Sequence, residues 1–140
     1  MSYLLDTNVV SETMRPVPNP AVSAWLDSVP AESLFLSVLS VGELRHGLDR
    51  LPRGRKREQL EVWLERAVPA WFEERLLAVD TRVSDAWGRL RAREGRPLPA
   101  VDSLLAATAL SHGLRMVTRN VGDFSLKGLE VINPWTARAT

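Results

Sequence analysis

The chain has 140 residues, of which 45% are hydrophobic and 25% charged, with a formal net charge of +1; this is the composition of one ordinary globular domain with a core of its own. It contains no cysteine, so disulfides, zinc–thiolate centres and thiol nucleophiles are excluded. The N-terminus lacks the basic region and apolar run of a signal peptide, and no stretch reaches the roughly 18 apolar residues needed to span a bilayer, so the sequence reads as a cytoplasmic protein.

The predicted elements alternate. Tyr3 to Leu5 is a short apolar strand ending at Asp6. A helix follows from Thr7 to about Met14 and is stopped by Arg15-Pro16 and the prolines at 18 and 20, because proline lacks the N–H and crowds the preceding turn. A second helix from about Pro20 to Ser28 turns Val22, Trp25 and Leu26 inward. Leu34-Phe35-Leu36 is a buried strand, after which Ser37 or Ser40 caps a helix running to about Leu51; Ser40 and Glu43 have the spacing of a capping box. Pro52 to Arg57 is a basic turn. The next helix carries Leu60, Trp63, Leu64, Ala67, Val68 and Trp71 at intervals of three and four, one apolar face opposite charge. Leu76 to Val79 is a third strand. Asp80 or Thr81 then caps a helix that turns Val83, Ala86, Trp87 and Leu90 inward and ends near Gly95. Ala100 to Leu110 is apolar nearly all round, as a buried helix is. Met116-Val117 and Glu130 to Ile132 are short closing strands. No repeat or linker divides the pattern, so residues 1–140 read as a single domain.

Strands alternating with helices specify an α/β fold, with a mostly parallel sheet of about five strands covered on both faces. Sites in such sheets form at the carboxyl ends of strands, near the switch in strand order. Asp6 and the segment after Val117 are therefore the places to look. Four acids draw attention: Asp6 after the first strand, Glu43 inside the Ser40–Leu51 helix, Asp102 as the only acid of the apolar 100–110 helix, and Asp123 after the Met116-Val117 strand. Singly each has a plain reading. Asp6 and Asp102 stand where N-caps stand, Glu43 where a surface glutamate stands, and Asp123 where a turn residue stands. Together they say more. Asp102 prefaces a helix too apolar to lie on the surface, so its carboxylate points into a crevice. Four carboxylates converging there cannot all ionise without a cation. With an all-oxygen donor set and only His46 and His112 as imidazoles, Mg²⁺ or Mn²⁺ is favoured over zinc.

Four blocks carry a family resemblance. Asp6-Thr7-Asn8-Val9-Val10-Ser11-Glu12 resembles the opening motif of PIN-domain toxins, and Ser37-Val38-Leu39-Ser40-Val41-Gly42-Glu43-Leu44 their second. The stretch from Pro99 through Asp102 to Ala109 resembles the third, and Val117-Thr118-Arg119-Asn120-Val121-Gly122-Asp123-Phe124 the fourth. The likeness is to the VapC toxins and, among them, to a FitB-like branch through Trp25-Leu26-Asp27-Ser28 and Asn133-Pro134-Trp135. It implies a PIN-like three-layer sandwich and a metal-dependent endoribonuclease, the toxin of a type II toxin–antitoxin pair. Such an enzyme hydrolyses RNA phosphodiester bonds with a metal-activated water. The resemblance further implies Asp6, Glu43, Asp102 and Asp123 as the pocket for Mg²⁺ or Mn²⁺, Thr118 and Asn120 as orienting neighbours, and Asn8 as support for the first aspartate. It also implies a homodimer, a cognate antitoxin whose tail blocks the pocket, and DNA contacted only through that antitoxin.

Other residues are read more plainly. Arg119 is the basic residue nearest the acids and a candidate RNA phosphate contact. Arg50, Arg53, Arg55, Lys56 and Arg57 form a basic turn that reads first as a solvated loop. His46, Asp80, Asp85 and Glu12 are structural, cap or surface positions, and the five tryptophans mostly fall on apolar helical faces, so they read as core or interface before base-stacking platforms. Two rivals are weighed. The chain acts chiefly as a structural partner in an antitoxin-bound, DNA-binding repressor complex with weak nuclease activity, or it is a phosphoacceptor domain. The second lacks a lysine near the strand after Asp102, where Arg115 and Arg119 stand instead.

Overall fold

Tyr3–Leu5 (β1) lies at the centre of a five-stranded sheet in the computed structural model, which describes residues 1–136. The elements run β1, α1 (Thr7–Glu12), α2 (Pro20–Ser28), β2 (Leu34–Ser37), α3 (Val38–Asp49), α4 (Arg55–Val62), a π-helical turn Trp63–Ala67 and α5 (Val68–Phe72). They continue through β3 (Leu76–Leu77), α6 (Thr81–Glu94), α7 (Ala100–His112), β4 (Arg115–Val117), a 3-10 turn Val121–Phe124 and β5 (Val131–Ile132). The strand order is β3-β2-β1-β4-β5 and every pairing is parallel. The order reverses between β1 and β4, where Leu5 sits beside Val117. A crevice opens there by topology alone.

The pleat sorts the strand residues between two layers of helices. Tyr3, Leu5, Leu34, Leu36 and Val117 pack with Val9, Val22, Leu48, Leu64 and Phe72, on the side of α1 to α5. Leu4 and Met116 point the other way, against Leu90 of α6 and Leu105, Ala106 and Ala109 of α7. Each fully buried leucine contributes on the order of 2 kcal/mol, and a slip of one residue would turn the whole set over. The register that satisfies the core also fixes which residue ends each strand. The middle of α7 is buried, at Ser103 and from Leu105 to Ala109, as its apolar sequence requires.

Three local expectations are corrected. The predicted helix through Trp71 is interrupted by the π turn, in which the Val68 N–H bonds the Trp63 carbonyl. Pro69 follows at once, and the wider turn relieves the crowding a proline ring imposes on the carbonyl four residues back. Glu12, read as a surface or cap residue, is buried, with Oε2 accepting from the Asn19 N–H at 2.9 Å and Oε1 facing Arg15 at 3.4 Å. It ties the proline-rich turn back onto the end of α1. The third strand is two residues rather than four. No helix among the described residues is long and apolar enough to cross a membrane.

Candidate active site

The site begins where the two central strands end. The Asp6 N–H donates to the Val117 carbonyl at 2.8 Å, so the residue is held by the sheet. Its side chain caps α1, with Oδ1 accepting from the Thr7 N–H at 2.7 Å. A capping carboxylate ordinarily sits in water; this one is 7% exposed, because β4 runs alongside. At the end of β4, Thr118 is fully buried and donates its hydroxyl to Asp6 Oδ2 at 2.7 Å. Thr118 Oγ1 accepts in turn from the Asn120 N–H at 3.0 Å and from Asn8 Nδ2 at 3.4 Å. A hydroxyl with two donors aimed at its oxygen has one direction left for its own proton, and that direction is Asp6. Asn8 Oδ1 accepts from the Arg119 N–H at 3.4 Å, closing a polar belt between α1 and the segment after β4.

Glu43 is exposed on α3 and accepts the Thr7 hydroxyl at 2.6 Å. Thr7 is not among the acids and neighbours that the sequence singles out; its signal there is its place beside Asp6. The capping box between Ser40 and Glu43 does not form. β2 runs straight into α3, so Ser37 is the cap, accepting from the Leu39 N–H at 3.1 Å. Ser40 falls inside the first turn, buried and without a partner among the described residues.

Asp102 is the third residue of α7, and it is not the cap that its position resembled. Pro99 holds the N-cap place and no side chain caps the helix. The partly buried Asp102 carboxylate has no hydrogen-bond partner among the described residues. It is placed by its helix, which Trp87 of α6 secures by donating Nε1–H to Ser103 Oγ at 2.9 Å. Asp123 is exposed on the 3-10 turn, between the Asn120 carbonyl that receives its N–H at 3.1 Å and the buried Phe124.

These four acids feel one another. Burial pushes the Asp6 carboxyl above its ordinary value, the hydrogen bonds from Thr118 and Thr7 oppose this, and the charges of Glu43 and Asp123 raise it further. Asp102 is raised first by burial and then by Asp6, Asp123 and Glu43. Among the described residues no arginine or lysine pairs with any of the four. An uncompensated, all-oxygen set of this kind fits a hard divalent cation. No three His, Asp or Glu side chains among the described residues stand close enough to share an ion as they lie, so the fit is that of one or two direct carboxylate ligands with water filling the remainder. Arg119 and Asn120 are exposed at the rim. His46 is exposed on the outer part of α3. The predicted basic turn is only partly a turn, since α4 begins at Arg55; in that helix Arg57 bonds the Leu51 carbonyl and pairs with Asp49 and Glu61, a fastening rather than a free charge.

Comparison with known proteins agrees with this architecture. The chain is 41% identical to the FitB toxin of Neisseria gonorrhoeae over 135 residues, covering 94% of this chain and 97% of that one. It is 38% identical to a VapC ribonuclease of Sinorhizobium fredii over 135 residues, covering 94% and 96%. A solved structure of FitAB bound to a DNA fragment superposes with a TM-score of 0.89 at 37% identity, covering 97% of each chain. Residues 3–126 match the PIN domain, a span that begins at β1 and ends beyond Asp123. The chain therefore belongs to the PIN-domain family.

Proposed function

We propose that the chain functions as a single PIN domain whose activity is metal-dependent hydrolysis of RNA phosphodiester bonds, and that it is the toxin of a toxin–antitoxin pair. The observation that carries this reading is the set of four mutually repelling carboxylates at the β1/β4 switch point, none neutralised by a basic side chain among the described residues. The likeness to a VapC ribonuclease supports the substrate class.

In this reading Asp6 and Asp102 hold the ion, with Glu43 and Asp123 completing the negative field. A bound Mg²⁺ or Mn²⁺ supplies charge neutralisation for the phosphate and a lower pKa for water. Thr118 keeps one Asp6 oxygen in place by donating to it, and the Thr7 N–H fixes the other, so the carboxylate does not rotate when RNA arrives. Asn8 and Asn120 hold the Thr118 hydroxyl in that role. Thr7 ties Glu43 to the same corner. A groove of about 500 Å³ lined by Thr7, Met14, Leu44, Lys56, Leu60 and Trp63 opens beside Glu43. Its walls are mostly apolar, with Glu43, Arg15 and Lys56 sharing the lining, and suit the apolar face of an amphipathic peptide, which supports an antitoxin segment as the partner there; a homodimer is part of the same proposal. Purified protein is expected to cleave single-stranded RNA with Mg²⁺ or Mn²⁺ and to lose that activity in EDTA and as Asp6→Asn. Cleavage of RNA by Asp6→Asn at the parent's rate would overturn the assignment.

The likeness to FitAB on DNA favours a second role, as a structural partner in an antitoxin-bound repressor complex with weak nuclease activity. Growth arrest on expression without antitoxin separates the two, since only the nuclease arrests growth and does so through Asp6.

A further inference from the structure

Among the described residues three arginines lie over aromatic rings, and they are not alike. Arg75 stands 5.8 Å from the Phe72 centroid, but its guanidinium donates to the carbonyls of Ala31, Leu34 and Trp71. It is fully used in fastening the start of β2. Arg119 stands 5.3 Å from the Trp135 ring centroid and Arg91 4.5 Å from that of Trp87. Both are exposed, and neither guanidinium pairs with an acid among the described residues. Their neighbours behave differently: Arg89 pairs with Asp85, and Arg93 and Arg96 with Glu94.

Both arginines are tied to the acidic pocket. The Arg119 N–H is bonded by Asn8, whose amide also holds Thr118. Trp87 bonds Ser103, the residue after Asp102. Arg82 reaches the Ser111 carbonyl while Trp87 reaches Ser103, so α6 runs antiparallel to α7. The turn of α6 that bears Arg91 therefore lies beside the start of α7, where Asp102 is. The two pairs lie on opposite faces of the sheet. Trp135 packs with the α1–α5 layer, whereas α6 packs on α7 in the other.

A pocket of four carboxylates repels a polyanion, so RNA needs cations beside the acids to approach it. A lone exposed arginine is a mobile cation; stacked on an indole it loses rotational freedom and keeps its N–H fork outward, in the geometry that binds phosphate bidentately. We propose that Arg119 on Trp135 and Arg91 on Trp87 are two phosphate-binding points for a single RNA strand crossing the pocket, one on each face of the sheet. This rests on the ribonuclease reading above and names the residues that seat its substrate.

The test is binding of a fluorescent single-stranded oligoribonucleotide in EDTA, where cleavage does not interfere, across a series of salt concentrations. Arg119→Gln and Arg91→Gln are each expected to weaken binding about fivefold at 0.1 M salt and to lower the salt slope by about 0.7, the loss of one phosphate contact on a single strand. Arg89→Gln, an ion-paired arginine on the same helix, is expected to leave the slope unchanged. Trp135→Leu and Trp87→Leu keep the charge yet are expected to bind as weakly as the arginine variants, with Trp135→Phe and Trp87→Phe restoring affinity. With Mg²⁺, Arg119→Gln should raise KM and keep kcat. Parental slopes in both arginine variants of a protein that cleaves RNA overturn the RNA track alone. Weak arginine variants beside parental leucine variants overturn the role of the rings. A parent that binds with arginine-dependent slopes but never cleaves upholds the track and defeats the nuclease reading; a parent that neither binds nor cleaves defeats both.

Discussion

Two helix starts that look alike in sequence carry the two most perturbed carboxylates, and they are built in opposite ways. At α1, Asp6 is the cap, is nearly dry, and has both oxygens held by protein donors. At α7, Asp102 is three residues past a proline cap, partly open, and has no hydrogen-bond partner among the described residues. Asp6 is positioned by bonds to its own carboxylate, Asp102 by the burial of the helix behind it. A carboxylate already bonded twice is rigid but has fewer lone pairs to give. One without partners is free to ligate, and it carries the cost of burial and like charge without compensation. In the proposed metal site the pair would divide the work between a fixed reference and an available ligand.

The comparison is broken most severely by changing the available ligand. Asp102→Asn is expected to lower RNA cleavage more than about 100-fold, beyond what outer-shell changes cost at metal sites. In EDTA it should melt no lower than the parent, because it removes a charge that the folded state disfavours. A large fall in Tm there would mean that Asp102 is bonded in the fold. Next in size is Thr118→Val, which keeps shape but leaves Asp6 Oδ2, the Asn120 N–H and the Asn8 amide without their partner. Activity is expected to fall about 10- to 100-fold and stability by about 1–3 kcal/mol, read by urea unfolding. If Thr118→Val matches the parent in both, Asp6 does not depend on its belt.

Ser103→Ala sharpens the other half. It removes the acceptor of the Trp87 Nε1–H, and a lost bond of this kind costs about 1 kcal/mol. Activity should drop less than in Thr118→Val, since α7 is still held by its buried residues from Leu105 to Ala109. The smallest effect is in pH. Both carboxyls are raised above the ordinary 3.8, so the folded state holds their protons more tightly than the unfolded chain does. Their contribution favours folding most below pH 3.8 and is lost as pH rises through the raised folded values. In EDTA the parent should lose stability over that window more steeply than Asp102→Asn; equal slopes would remove Asp102 from the titration. Added Mg²⁺ should raise the parent's Tm at neutral pH more than that of Asp102→Asn, because an ion that binds only the folded state stabilises it.

Much of this was legible without coordinates. The order of elements, the parallel sheet and the buried 100–110 helix follow from periods of 2 and 3.6 and from proline positions, which act over a few residues. Asp6, Asp102 and Asp123 could be picked out because strand ends and apolar helix starts are local features too, whereas Glu43, inside a helix, carries no such local mark. Less legible were the π turn before Pro69, the burial of Glu12 and the choice of Ser37 over Ser40 as the cap of α3. Each depends on how a neighbouring segment is received.

The sequence by itself determined the kind and order of the main strands and helices, since apolar spacing and proline positions leave little choice there. Only the tertiary structure decided that Thr118 would hold Asp6 across 112 positions of chain and that Thr7 would hold Glu43 across 36. Those partnerships depend on β4 settling beside β1 and α3 beside α1. That neighbour choice is made by the collective burial of two cores, and no local pattern encodes it.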